Sequence, residues 1–387
     1  MKNKLKILGL SALLMSNVAF AGNNKGDSKI ETNPEEKVEI TYQAQVENIE
    51  NKEEGLIRNI ELSDKGIKVF EFQNKKDKEI YLETAQGKII NISMNPEGKD
   101  ENPVINKDGT KVYFSSERIN SKGKIQQDIF EANIEDLVKE NYQIKLTNIS
   151  NTKEKSNNPS VSKDGSKLVY ENKNNIILAD LVKGTKEQLT SEGENYQPNI
   201  KDNKVVFAAI KLKNKKSGIV MVDLEDSLRT KQLIVKSSEY DFSNPVLSDD
   251  EKKIAYVKDF SKVYVKDLET RKNKGISSTY GTVSAPSWDE KGTFVSYLGT
   301  KEDSKGADKI ELYVVNVSDL DQIKKSKIFT KKNPSEIVMN KGFTAYEGAL
   351  STISATGDVV YSGIESSTIK QYNNDLISKD TAQNIEE

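Results

Sequence analysis

The chain has 387 residues with no cysteine and no histidine, and 58 Lys and Arg stand against 60 Asp and Glu. The missing residue types exclude a Ser-His-Asp triad, a Cys-His pair and a His- or Cys-ligated metal. The even charge balance speaks against nucleic acid as a partner, because phosphate binding draws on a basic excess or a basic face.

In chain order, the N-terminus opens on the basic MKNKLK, continues as the apolar ILGLSALLM and reaches small residues at Ala19 and Ala21. That layout is a secretory signal peptide over residues 1–21, with cleavage after Ala21. The apolar run is only about half of what a bilayer span needs. Cleavage removes three lysines and leaves 55 basic against 60 acidic residues, a net charge of −5. No later segment reads as a membrane span, so the mature protein is expected in the periplasm. Residues 22–37, GNNKGDSKIETNPEEK, have almost no apolar content and read as a disordered arm. Val38–Val46, VEITYQAQV, alternates apolar and polar and reads as a strand with no unit of its own.

From there the chain repeats. Five of its eight prolines, Pro103, Pro159, Pro198, Pro245 and Pro286, recur 39 to 56 residues apart. Eleven residues beyond four of them stand Phe114, Tyr170, Tyr256 and Tyr297; Pro198 reaches Phe207 in nine, through a turn two residues shorter. Turn residues lie between, as in Lys107-Asp108-Gly109 and Lys163-Asp164-Gly165. Each unit then ends a strand in Asn or Asp plus an aliphatic: Asn133-Ile134, Asp180-Leu181, Asp223-Leu224, Asp267-Leu268 and Asn316-Val317. Weaker copies surround Asn59–Phe70 and Gly357–Tyr361. Proline has no backbone donor and marks the start or edge of a strand. A short inner strand, a tight turn, an aromatic second strand, a third strand and an outer strand such as Lys186–Thr190 make a four-stranded unit. A repeat of this length is the size of a propeller blade. The fold expected is all-β: a β-propeller of six to seven four-stranded blades over residues 38–365. The strand at Val38–Val46 is expected to close the ring by completing the last blade near Tyr361. Residues 366–387 read as a polar C-terminal tail.

The run NNPSVSKDGSKLVYENKNNIILADLVKGTKEQLT resembles the blade of TolB-type propellers, with its Asn-Pro, Ser-x-Asp-Gly turn, Ile-x-Leu strand and final Leu-Thr. ENPVINKDGTKVYFSSER and SNPVLSDDEKKIAYV match as well. The resemblance covers residues 100–320 well and 55–365 loosely. It implies a periplasmic propeller that binds envelope proteins, among them a peptidoglycan-associated lipoprotein. The TolB pattern also includes an N-terminal α/β domain, and fewer than 40 residues between Ala21 and Asn59 leave no room for one.

No nucleophile elbow or phosphate-cradling glycine motif is present, so no catalytic, cofactor-binding or metal-ligating residue is assigned. Asp249-Asp250-Glu251 has the composition of a calcium ligand set but reads as a solvated turn. Asp108 and Asp164 read as turn formers, and SWDEKGTF around Trp288 as an ordinary turn of the repeat. Trp288 itself reads as packing or channel lining. Three stretches break the repeat and are where function is sought: Glu117–Gln127, Gly299–Lys309 and Ser318–Glu347. The expected function is a monomeric, non-enzymatic, periplasmic binding or scaffold propeller without a cofactor. The alternative is a carbohydrate-binding or carbohydrate-processing propeller using paired carboxylates.

Overall fold

The computed structural model describes residues 56–332, interrupted at 74–76, 96–97, 121–122, 136, 138–142, 213–215, 278–282 (Val283 is described), 284–285 and 303–307. It also describes 39–43, 46–47, 344–345, 351–353 and 359–361. Residues 1–21, read above as a signal peptide, residues 22–37, read as an arm, and residues 366–387, read as a tail, lie outside the described residues.

Two N-terminal strands come first, β1 (Glu39–Gln43) and β2 (Val46–Glu47). Six four-stranded antiparallel meanders follow and form a β-propeller. Blade 1 is β3 (Leu56–Leu62), β4 (Lys68–Gln73), β5 (Lys78–Glu83) and β6 (Ile89–Asn91). Blade 2 is β7 (Asp100–Ile105), β8 (Lys111–Ile119), β9 (Ile125–Asn133) and β10 (Gln143–Asn148). Blade 3 is β11 (Ser156–Val161), β12 (Lys167–Asn172), β13 (Asn175–Asp180) and β14 (Thr185–Gln188). Blade 4 is β15 (Glu194–Ile200), β16 (Lys204–Leu212), β17 (Lys216–Asp223) and β18 (Lys231–Ser237). Blade 5 is β19 (Phe242–Leu247), β20 (Lys253–Lys258), β21 (Lys262–Asp267) and β22 (Asn273–Gly275). Blade 6 is β23 (Ser287–Trp288), β24 (Phe294–Glu302), β25 (Asp308–Asn316) and β26 (Lys324–Lys332). The segments β27 (Thr344–Ala345), β28 (Ser351–Ile353) and β29 (Val359–Tyr361) complete the described chain.

The repeat explains itself in three dimensions. In blades 2 to 6 the unit's aromatic is buried and packs against the blade before it. Phe114 joins Val69 and Ile80, Tyr170 joins Tyr113 and Ile129, and Phe207 joins Val169 and Leu178. Tyr256 joins Val206 and Ala208, and Tyr297 joins Ala255 and Val265. The middle strands are sandwiched on both faces, so β16 buries five residues in a row from Val205 to Ala209. Outer strands such as β14 are exposed and charged. The Asn or Asp that ends each third strand accepts from backbone N–H groups of the next turn, as Asp180 Oδ1 does from Val182 and Lys183. The aliphatic after it donates its N–H to the blade's first turn, as Leu181 does to Ser166 O at 2.8 Å.

Ring closure differs from the expectation in two respects. The N-terminal strand does not reach the last blade: β1 pairs antiparallel with β10, Glu39 opposite Thr147, and β2 pairs with β6. It thus caps the outer edges of blades 2 and 1. A four-stranded blade offers its outer edge to any added strand, and an alternating strand carries no signal of which edge it joins. The last unit is a two-stranded hairpin, β28 with β29, set between β3 on one side and β23 and β24 on the other. Among the described residues, complete blades therefore number six. The basic first half of Ser318–Glu347 forms β26, the outer strand of blade 6, rather than an insertion; lysines suit an edge strand.

Candidate functional site

The inner strands β3, β7, β11, β15, β19 and β23 surround an axial channel with a cavity of about 590 Å³. Its walls follow from one local device. Asn59, Asn102, Asn158, Gln197 and Asn244 all adopt left-handed backbone, φ between 47° and 54°. Each sits where the pairing of inner and second strand slips, as between Glu101 and Val104 or Asn157 and Ser160. Asparagine tolerates that conformation better than most residues, and the following proline lacks the donor the slip would strand. Asn-Pro is therefore the code for a β-bulge inside the inner strand, not for the strand's start.

The bulges turn a ring of amides to one mouth of the channel and link the blades. Asn59 Nδ2 donates to Asn102 Oδ1 at 2.9 Å, and Asn102 Nδ2 to Asn157 Oδ1 at 3.0 Å. Glu71, 2% exposed, accepts from Asn59 Nδ2 and from the backbone of Asn102. Glu171 accepts from Asn158 Nδ2 at 2.6 Å and from the backbone of Gln197, whose Oε1 accepts from Asn244 N at 2.8 Å. The belt runs from blade 1 to blade 5. Burial raises the Glu171 carboxyl above its ordinary range despite those donors.

At the other end, where inner strands pass into their turns, charged side chains lace across the channel. Lys107 of blade 2 pairs with Glu290 of blade 6 and, at 3.5 Å, with Asp64 of blade 1. Asp249 of blade 5 pairs with Lys201 of blade 4 at 2.9 Å and Lys163 of blade 3 at 3.4 Å. Burial opposes ionisation of Asp249, but the two lysines outweigh it and hold the carboxyl below its usual range.

Between the mouths, the position after the bulge proline is Val104, Ser160, Asn199, Val246 and Ser287 in blades 2 to 6; all five line the cavity. In blade 1 it is Glu61. Among the described residues this carboxylate accepts no hydrogen bond and makes no ion pair. Burial pushes it from an ordinary 4.5 up to about 7, against the opposing pull of Lys201.

In the acidic run Asp249-Asp250-Glu251 only Asp250 is exposed, and the other two acids serve neighbouring blades. Its three carboxylates diverge. Asp249 serves the ion pairs above, and Asp250 Oδ1 accepts from Ser248 Oγ in its own turn at 2.6 Å. Glu251 Oε1 accepts from the backbone N–H groups of Asp202, Asn203 and Lys204 at 3.0, 2.7 and 2.8 Å. It caps the shortened turn of blade 4, which has Lys201 at the position where the other turns carry their capping Ser, Asn or Asp. Asp164 forms its turn as expected: burial works against ionisation, but bonds from Ser162 and Ser166 outweigh it and hold the carboxyl at about 2. Asp108 Oδ1 likewise accepts from Thr110 N at 3.1 Å. Gly109 in that turn has φ 67°, and a Cβ there would meet Ser63 Oγ of blade 1 at 2.8 Å. Asp289 caps its own turn through Thr293 and Phe294, so SWDEKGTF is an ordinary turn. Trp288 is buried, lines the channel and donates Nε1–H to Val246 O of blade 5 at 3.0 Å.

The amide mouth opens on a second feature. In blades 1, 3 and 5 the second strand has 6 residues; in blades 2, 4 and 6 it has 9. The extra residues extend the hairpin beyond the inner strand, out to the pairs Ile119–Ile125, Leu212–Lys216 and Glu302–Asp308. The repeat-breaking stretches Glu117–Gln127 and Gly299–Lys309 are two of these three prongs; residues 121–122 and 303–307 lie outside the described residues. Ile119 and Ile125 are 50% and 60% exposed. Met94, Tyr240 and Phe260 are exposed on connections of the same face, with Lys258 Nζ 3.9 Å from the Tyr240 ring centroid.

Known structures with this architecture come from several functional classes. The chain is a β-propeller by comparison as well as by topology. An oligogalacturonate lyase from Vibrio parahaemolyticus aligns over 84% of this chain and 93% of its own, at 13% identity and TM-score 0.54. A chain of the mitotic checkpoint complex aligns over 92% and 96%, at 9% identity and TM-score 0.53. TolB from Acinetobacter baumannii aligns over 68% of this chain and 61% of its own, at 16% identity and TM-score 0.44. This chain thus spans about three fifths of that TolB. No family model and no curated protein matches the sequence.

Proposed function

We propose that this chain is an exported, non-catalytic binding propeller. It acts as a monomer in the periplasm and docks an envelope protein on the face of the amide mouth; the TolB-like blade sequences favour a peptidoglycan-associated lipoprotein among such partners. The observation that carries this reading is the crown of long hairpins on alternate blades, with Ile119 and Ile125 exposed at a tip. Large apolar side chains rimmed by polar ones mark interaction sites on a soluble protein. Among the described residues, five of the eight exposed large hydrophobic ones, Met94, Ile119, Ile125, Tyr240 and Phe260, lie on this face. A rigid ring that holds variable hairpins is a frame for recognition. Hydrolysis by paired carboxylates is less well supported. Asp64, Asp249 and Glu290 are each ion-paired, which leaves Glu61 as the one unpaired acid among the described channel-lining residues.

Site-specific photo-crosslinking tests the reading. A benzophenone side chain at Ile125 is expected to capture an envelope protein in the periplasm, and one at Val182, on the opposite face, is not. Equal capture from both positions, or none from Ile125, contradicts it.

A further inference from the structure

The channel has features that docking at the hairpin face does not need. Its turn end carries Asp64, Lys107, Lys163, Lys201, Asp249 and Glu290, and these charges satisfy one another in ion pairs. At its amide mouth the lining side chains are neutral amides, and Glu71 and Glu171 behind them are already engaged by the belt's N–H donors. The remaining charge is Glu61, on the wall at the level where the other blades present Val104, Ser160, Asn199, Val246 and Ser287. An inner-strand position with this burial needs no charge for the fold, since valine or serine fills it in four other blades. A lone carboxylate facing a cavity of about 590 Å³ has the form of a ligand anchor, because pockets of this size bind small molecules through a few placed polar groups. The ligand must bring the opposite charge. At the same level Asn199 Oδ1, which accepts one bond from Leu247 N, and the Ser287 hydroxyl can accept further N–H donors, and Val104 and Val246 offer apolar wall for a short hydrocarbon stem.

We propose that the axial channel binds a small organic cation, an alkylammonium or guanidinium, entering through the amide mouth and pairing with Glu61. The Lys201 ammonium acts on Glu61 and opposes an incoming cation, and its ion pair with Asp249 weakens that opposition. A cation selects the ionised form of Glu61. Affinity therefore rises with pH through the titration of Glu61 and levels off above it, an increase of roughly tenfold between pH 6 and pH 8.

Isothermal titration of the full chain with n-butylammonium and with agmatine, at pH 6 and pH 8, tests this, with butyrate, glucose and calcium as comparison ligands. Both amines are expected to bind, at least tenfold more weakly to Glu61→Gln. Val104→Lys, which sets an ammonium on the neighbouring blade at the same level, should also abolish binding with Glu61 intact. No amine binding at millimolar concentration, Glu61→Gln binding like wild type, or glucose, butyrate or calcium binding better than the amines each overturns the proposal. Neither substitution touches the hairpin crown, so failure here leaves capture at Ile125 as a separate result.

Discussion

Glu251 offers a test of how one blade completes its neighbour. Its carboxylate receives three backbone N–H groups from the Asp202–Lys204 turn of blade 4, and Lys204 Nζ lies 3.7 Å from its other oxygen. Hydrogen bonds to a charged acceptor contribute about 1.5–3 kcal/mol each when buried. The turn residues are half-buried, so water replaces part of the loss, and about 1 kcal/mol per bond is the working value. Glu251→Ala is then expected to destabilise the protein by about 3 kcal/mol, and Glu251→Gln, which keeps a neutral acceptor oxygen, by about half as much. Glu251 also has φ 55°, so Glu251→Gly separates the two effects: it relieves about 1 kcal/mol of backbone strain while losing all three bonds. Urea unfolding followed by circular dichroism gives the ordering wild type, Gln, Gly, Ala. Amide exchange localises the effect, with protection at residues 202–204 falling by about two orders of magnitude in Glu251→Ala. Unchanged exchange at those amides together with a wild-type urea midpoint would refute the cap.

Three further outcomes follow from the same structure. Glu61 is an acid whose carboxyl is raised in the folded state, so it favours folding fully below about pH 4.5 and progressively less up to about pH 7. The stability of wild type relative to Glu61→Gln should therefore fall by up to about 3 kcal/mol across that window and stay flat above it; a difference that is constant from pH 4 to 8 would contradict the raised value. Asn102→Ala combines left-handed strain with loss of the bonds to Asn59 and Asn157 and should cost about 2–3 kcal/mol, whereas Asn102→Gly should cost about 1 kcal/mol less than alanine. Trp288 is the one tryptophan; its emission should be blue-shifted in the folded protein, and Trp288→Phe should cost about 1–2 kcal/mol through the orphaned Val246 carbonyl.

The blade was legible because its constraints are local. Proline, turn and aromatic stand at fixed spacing since the bulge, the turn and the buried second strand are consecutive on the chain, and Tyr170 or Tyr256 fills the same gap in each unit. What joins distant parts was not legible. Lys107 and Glu290 are 183 residues apart and meet only because the ring brings blades 2 and 6 together. Glu251 looked like one of three solvated acids, because nothing in its own blade shows that a neighbour's turn is two residues short of its cap. The alternation in Glu39–Gln43 announced a strand but not its partner, and Leu146 and Lys145 of blade 2 took the place expected for Tyr361. Glu61 left one visible trace: a charge at a position where its siblings are valine, serine or asparagine. That departure sits in the inner strand, whereas the repeat-breaking loops lie outside it. The long loops did carry information, since Glu117–Gln127 proved to be a prong of the crown.

The measurement that bears most directly on the proposed role is the affinity of the envelope partner captured at Ile125 for the purified chain. The hairpin substitution Ile119→Glu with Ile125→Glu leaves the buried ring untouched, because both side chains are half exposed or more. The account predicts wild-type urea stability for that double variant and at least a hundredfold weaker binding. A double variant that is stably folded and binds the partner as tightly as wild type would contradict it.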